Sequence, residues 1–340
     1  MKKARKYLIT ATILIVILVL TFSTIYDKES WKVIGENIKS LNYVYILLAF
    51  GCSILYFVCQ GIYMKGILGA LNHKISLIRG TFYAIIEFFF SGITPSSTGG
   101  QPIQLYYMTK DGIPIRKSYI TLMLNTIYFK IIIIAFGIYA LLFNGSIIIE
   151  SNLVYKIFFG IGFVFDLILT FVCILLIFKT DLVKRIFIKL VNFLKKFKLF
   201  RKKISKYNIE EVMERYKEEV EFIKTHVLTV FLTFIVTLIQ RLCLFSIIYV
   251  VYRSLGFSDY SFFDLLAIQV CVQIAMEAAP LPGGAGLSES FMHNLFVIIF
   301  ASKLADVGML LTRAFNFYIP LIVTGLIILI EYLYRKIKKA

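Results

Sequence analysis

Ser91–Gln104 reads SGITPSSTGGQPIQ and follows an apolar helical run, Arg79–Phe90, at a point where a membrane helix would be expected to continue. Gly92, Pro95, Gly99, Gly100 and Pro102 break the backbone there. An unpaired N–H or C=O is costly in hydrocarbon, so a broken helix at membrane depth must line protein or trapped water. A second stretch, Ala278–Ser290 (AAPLPGGAGLSES), has the same character, and four of the six prolines fall in these two breaks. Paired interruptions in the two halves of a membrane chain point to a transporter's substrate site.

Working outward, the remainder of the chain is membrane-like throughout. Of 340 residues, 59% are hydrophobic and 17% charged, and no polar segment is long enough to form a soluble domain. The formal charge of +17 would suggest nucleic acid in a soluble protein. Here the basic residues gather in loops, where membrane topology accounts for them and no nucleic-acid partner is expected. The five cysteines lie inside apolar runs without a CxxC, and the three histidines lack ligand spacing, so neither a disulfide framework nor a metal or other cofactor is predicted.

Apolar runs at Tyr7–Ile25, Tyr43–Met64, Ser118–Phe143, Leu153–Phe178, His226–Tyr252 and Ala305–Ile330 predict six plain spans. The first could be a signal peptide, but Thr21–Asp27 is a poor cleavage site, which favours an uncleaved span. If both broken segments turn back rather than cross, 28 of the 37 Lys and Arg residues fall on one side. Positive charge is retained in the cytoplasm, so two re-entrant hairpins and cytoplasmic N- and C-termini follow, the first hairpin entering from the cytoplasm and the second from outside. The expected fold is an all-α integral membrane protein, with six full transmembrane helices plus two opposed re-entrant hairpins related by an inverted repeat. One polytopic domain covers residues 1–340; residues 43–143 form the first inverted unit and 226–330 the second. Packing irregularity is the plainer explanation of the same breaks.

Residues 179–225 connect the units. Asp181–Phe200 interleaves apolar and basic residues as an interfacial helix would, although a basic linker would carry the same charges. Asn208–Thr225 reads as a solvated helix with charge pairs one turn apart.

Charges inside apolar runs are expensive and should face a bundle interior or a watery cavity: Glu87, Lys130, Asp166, Arg241, Glu277, Glu289 and Arg313. Arginine and lysine among carboxylates suit an anionic or zwitterionic headgroup, with arginine forking onto phosphate; the same groups could simply hold helices together. Each returning arm opens at a break, which leaves helix N-terminal N–H groups free near Gln101–Gln104 and Leu287–Ser290. Ser96, Ser97, Thr98 and Ser288 add hydroxyls, Pro102 suits a first helical turn, and Gly99, Gly100, Gly283, Gly284 and Gly286 allow close approach. No HExxH, GxSxG or P-loop is present, and Ser288–Glu289 lacks a third catalytic partner, so no catalytic residue is assigned.

Thr94-Pro95-Ser96-Ser97-Thr98-Gly99-Gly100-Gln101-Pro102 and Pro280-Leu281-Pro282-Gly283-Gly284-Ala285-Gly286-Leu287-Ser288-Glu289 make the chain resemble the lysylphosphatidylglycerol synthase transmembrane-region family. That family forms the flippase-like membrane part of the bacterial multiple peptide resistance factor. The resemblance covers essentially the whole chain. It implies a place in the bacterial cytoplasmic membrane and movement of an aminoacylated lipid to the outer leaflet. Full-length members add a cytosolic domain that transfers lysine to phosphatidylglycerol, which is expected to be absent from a chain ending at Ala340. A phosphatidylglycerol lysyltransferase label would then need a separate aminoacyltransferase as partner.

The expected function is translocation of an anionic or aminoacylated phospholipid, or of a polyprenyl-phosphate lipid. Thr94, Ser96, Ser97, Thr98, Gly99, Gly100, Gln101 and Gln104, with Pro282, Gly283, Gly284, Gly286, Ser288 and Glu289, would cradle phosphate. Arg241, Arg313 and Lys130 would neutralise it, and Glu87 and Glu277 would take an amine or a coupling proton. Lipid modification with a separate transferase and a non-transporting scaffold are the rivals, and a homodimer stays open.

Overall fold

The computed structural model describes residues 41–95, 97–178, 224–277, 286–300 and 304–337, with a few isolated positions besides. The expected first span, Tyr7–Ile25, and nearly all of the 179–225 connector lie outside the described residues. Among the described residues, twelve α-helices follow in chain order: α1 Tyr43–Ala70, α2 Leu77–Gly92, α3 Gly100–Lys110, α4 Ile115–Phe143, α5 Gly145–Glu150 and α6 Leu153–Phe178, then α7 Val227–Phe245, α8 Ile247–Ser254, α9 Phe262–Glu277, α10 Leu287–Ile299, α11 Ala305–Arg313 and α12 Ile319–Ile337. Among the described residues, five stretches are long and apolar enough to cross a membrane: α1, α4, α6, α7 with α8, and α11 with α12. The outer faces are greasy, with Leu47, Ile54, Phe165, Ile168, Leu228 and Ile322 exposed, as lipid-facing surface requires.

The first break forms where the sequence places it. Helix α2 starts under a Ser76 cap, whose hydroxyl accepts from the Arg79 N–H at 3.1 Å, and ends at Gly92. Within the break Thr94 closes a small staple: its Oγ1 donates to the Phe90 carbonyl at 2.6 Å and accepts from the Gly99 N–H at 2.9 Å. Helix α3 then runs back along α2. Gln104 Nε2 donates to the Tyr83 carbonyl at 3.2 Å, and Arg79 meets Asp111 at the open end. A Cβ on Gly100 would stand 2.6 Å from the Glu87 carbonyl, so only glycine lets the arms approach this closely.

The second break separates α9 from α10, and here too the arms return on each other. Tyr260 OH, just before α9, donates to the Ile298 carbonyl near the end of α10 at 3.4 Å. Gly286, with φ +88°, starts α10 in a conformation that favours glycine. Helix α9 is buried on nearly every side, as the spread of its apolar residues round the helix demands. Its Ile274 wedges against α4 and α6 where Gly137 and Gly162 carry no side chain.

Among the described residues, two large apolar cores and two smaller clusters result. One gathers α1, α2, α3 and α4 around Tyr63, Tyr83 and Met108. The other gathers α4, α6, α8, α9, α10 and α11 around Tyr155, Phe291 and Phe296. Helix α4 contributes to both.

Between α11 and α12 the helix widens into a π turn, Ala314–Tyr318. Pro320 has no N–H to complete the ladder behind it, which favours such a local rearrangement. Ser53 Oγ of α1 donates to the Phe315 carbonyl at 2.6 Å and so gives the widened turn a hydrogen-bond donor.

Candidate functional site

A cavity of about 570 Å³ takes its walls from α1, α2, α3, α4, α6, α7, α9, α10, α11 and the π turn. It lies within the roughly 300–1,000 Å³ range of ligand pockets. Nine of the residues singled out from sequence line it: Glu87, Ser97, Thr98, Gln101, Lys130, Arg241, Glu277, Ser288 and Arg313. Thr94, Gly99, Gly100, Gln104, Gly286 and Glu289 do not; most of them hold the breaks together from behind. Ser96, Pro282, Gly283 and Gly284 lie outside the described residues.

On the side of the first break, Ser97 stands in the left-handed region at φ 54°, a sparsely used conformation for a residue with a side chain. Gln101 Nε2 donates to Thr126 Oγ1 of α4 at 2.7 Å, which ties the start of α3 to the cavity wall. Arg241 of α7 lies flat against two aromatic rings, its Cζ 4.3 Å from the Phe129 centroid and 5.5 Å from that of Tyr56. Glu87 of α2 interacts electrostatically with it and lines the same wall. The Arg241 Nε is buried without a hydrogen-bond partner.

Lys130 shares the Phe129 ring with Arg241, its Nζ 5.2 Å from the centroid, and two further charge clusters are built around Lys130 and Glu289. Lys130 of α4 donates to Asp166 Oδ1 of α6 at 2.5 Å and to Glu277 Oε2 at the end of α9. One ammonium thus serves two carboxylates, and Asp166 Oδ2 and Glu277 Oε1 are buried without a partner. Around Glu289 the accounting is complete. Oε1 accepts from Arg313 Nε at 2.8 Å and from Tyr318 OH at 2.6 Å; Oε2 accepts from the Gly286 N–H at 2.6 Å and from Ser288 Oγ at 2.8 Å. Arg313 directly precedes the π turn and Tyr318 is its last residue, so Glu289 anchors that turn to the start of α10.

Several cavity residues escaped the sequence: Tyr56, Asn125, Thr126, Gln269, Gln273 and Asn316. Asn125 Oδ1, Gln269 Oε1 and Asn316 Oδ1 are buried without partners. Uncharged amides inside apolar spans were the available signal, weaker than the charges beside them. Phe165 also lines the cavity, and 52% of it is exposed.

Chemically, the cavity offers one arginine with a free N–H, several hydroxyls and amides, and one carboxylate pair short of a cation. Such a set can hold a phosphate and an amine together.

Beyond the first break, Asp111 and Glu331 with Arg79 and Arg335 form a network that pins the open end of α2–α3 to α12. Tyr83 OH joins it, donating to Asp111 Oδ2 at 2.8 Å.

Among curated proteins, the chain is similar to a UPF0104 membrane protein of Archaeoglobus fulgidus, 23% identical over 298 residues that cover 83% of this chain and 84% of the relative. The family described as "Lysylphosphatidylglycerol synthase TM region" matches residues 8–324. That match takes in both breaks, every described helix through α11 and the whole cavity lining, and the chain, a multi-pass membrane protein by its apolar helices, therefore belongs to the lysylphosphatidylglycerol synthase TM region family.

Proposed function

We propose that this protein moves a phospholipid or polyprenyl-phosphate headgroup between the leaflets of the bacterial cytoplasmic membrane. The observation that carries this is the cavity. Unpartnered polar atoms of α4, α7, α9 and the π turn meet there beside the first break, inside a bundle whose outer faces are apolar. Buried amides and a buried arginine N–H left without partners are expensive, so their retention favours a polar ligand or water that satisfies them. Phe165, a cavity-lining residue that is 52% exposed, marks a place where acyl chains could leave while the headgroup stays within.

In this scheme α2–α3 and α9–α10 are re-entrant hairpins among six spans, each belonging to an inverted unit, 43–143 and 226–330. Rocking of the units exposes the cavity to one leaflet and then the other. Both termini are cytoplasmic. Arg241 takes the phosphate, because its Nε is uncommitted whereas that of Arg313 bonds Glu289. Ser97, Thr98 and Gln101 add donors from the first break. Glu277 takes an amine when the headgroup carries one.

The test is transbilayer exchange in proteoliposomes containing only this chain, with fluorescent phosphatidylglycerol, lysyl-phosphatidylglycerol and a polyprenyl phosphate. Exchange of at least one lipid is expected, reduced at least tenfold in Arg241→Ala while the variant keeps its folded size in detergent. No exchange of any of the three by folded protein would reject transport by the chain alone.

A further inference from the structure

Among the described residues, five side-chain amides line the cavity: Gln101, Asn125, Gln269, Gln273 and Asn316. Gln101 is engaged by Thr126. The other four come from three elements, Asn125 from α4, Gln269 and Gln273 from α9, and Asn316 from the π turn. Asn125 is 6% exposed and Gln269 7%, and the carbonyl oxygens of Asn125, Gln269 and Asn316 have no hydrogen-bond partner. Neutral polar groups left in this way are costly inside an apolar bundle, so their convergence on one cavity points to a ligand that pairs with them.

The charged groups are largely matched within the protein. Lys130 meets Asp166 and Glu277, Arg313 meets Glu289, and Glu87 lies beside Arg241 and accepts from Ser91 Oγ at 3.4 Å. Beyond the Arg241 N–H, what the cavity offers a ligand is therefore mainly uncharged. An amide turned through half a rotation exchanges its NH2 for its carbonyl and so presents a donor and an acceptor. A phosphodiester only accepts and an ammonium only donates, whereas a hydroxyl does both. The amides thus select hydroxyls.

Helix α9 adds a shape. Gln269, Val272, Gln273 and Met276 fall at i, i+3, i+4 and i+7, and all four line the cavity, so amides and apolar side chains share one face. A cyclic polyol has the matching pattern, with hydroxyls round its rim and C–H groups on its faces. A glycerol headgroup has fewer hydroxyls and no rigid face. The cavity, at about 570 Å³, leaves room for such a ring beside a phosphate. We propose that the headgroup is a cyclic polyol, a sugar or an inositol, joined to the lipid through phosphate. Its phosphate lies on Arg241 and its ring hydroxyls bond Asn125, Gln269, Gln273 and Asn316. This rests on the headgroup translocation proposed above and names the part of the headgroup that the site selects.

The test is calorimetric titration of the purified full chain in detergent with dihexanoyl phosphatidylmethanol, phosphatidylglycerol and phosphatidylinositol, which share one phosphodiester and differ in hydroxyls. Citronellyl phosphoglucose, a short-chain glucosyl phosphate, is the fourth probe. The inositol or glucosyl lipid should bind at least about tenfold more tightly than the methanol lipid, as a few net hydrogen bonds provide, with the glycerol lipid between them. Preference for either ring supports the assignment, and the tighter of the two distinguishes sugar from inositol. Gln269→Met and Gln273→Leu should each shrink that preference while affinity for the methanol lipid is kept, since Arg241 is untouched. Equal affinities of all four probes for the wild type would overturn the proposal and leave headgroup binding standing, a result that needs no variant to fold. A ring preference undiminished in both folded variants would overturn it too, by placing the polyol elsewhere. No binding of any probe would overturn it together with the headgroup function beneath it.

Discussion

The Glu289 cluster and the Lys130 cluster lie in the same bundle and use the same chemistry, yet they are finished differently. Glu289 receives four hydrogen bonds, two on each oxygen, and a matching arginine. Lys130 faces two carboxylates, and one oxygen of each is left without a partner. A buried ion pair with every lone pair satisfied holds helices in place; one that is short of a partner has capacity for a ligand. The two clusters thus separate a structural use of buried charge from a functional one, a distinction that residue type alone does not draw.

The largest expected effect tests that separation directly. Glu289→Gln removes the carboxylate that gathers Arg313, Tyr318, Ser288 and the Gly286 N–H and should cost about 3–5 kcal/mol, read as a lower thermal midpoint in detergent. Glu277→Gln instead leaves Lys130 and Asp166 as a one-to-one pair, and stability should stay within about 1 kcal/mol of wild type. Equal losses in the two variants would erase the contrast. A smaller effect of opposite sign is expected at the cavity wall. Gln269→Met removes a buried carbonyl that has no partner and should raise stability by about 1–2 kcal/mol while it slows lipid exchange. A stabilised variant with full exchange would show that Gln269 serves packing and nothing else.

The smallest effect lies at the open end of the first hairpin. Burial raises the Asp111 carboxyl, but hydrogen bonds from Arg335, Tyr83 and Arg79 outweigh it and hold the group below the ordinary aspartate range. Its contribution is therefore complete above that range and is lost as acidification carries the pH down through the depressed value. Arg335→Ala should flatten this acid-side loss in a melting series from pH 6 to roughly pH 3 and leave the melting point at pH 7–8 only slightly lowered. An unchanged acid profile in the variant would mean that Arg335 is not coupled to Asp111.

Much of this was legible in the sequence because it depends on neighbours along the chain. The breaks at Gly92–Gly99 and before Gly286 are set by local proline and glycine content, and the spans by sustained hydropathy. Boundaries shifted where context intervened: α1 runs on to Ala70, the expected His226–Tyr252 run divides at Ser246, and Ala305–Ile330 contains a π turn ahead of Pro320. The charged residues were visible as costly exceptions in apolar runs. Their roles were not. Arg313 and Lys130 read alike as cations in mid-span, yet one is committed to Glu289 and the other is contested between two acids. Asn125, Gln269 and Asn316 carry no charge and so stood out too little to be noticed.

The sequence by itself determined that this is an all-helical membrane bundle with two broken segments and a small set of buried charges, because hydropathy and backbone breakage act over one to a few helical turns. Only the tertiary structure decided which charge meets which, since Lys130 and Glu277 are 147 residues apart and Glu289 meets Arg313 across 24. Coulomb energy depends on separations of a few ångströms in space, and chain spacing does not encode those separations.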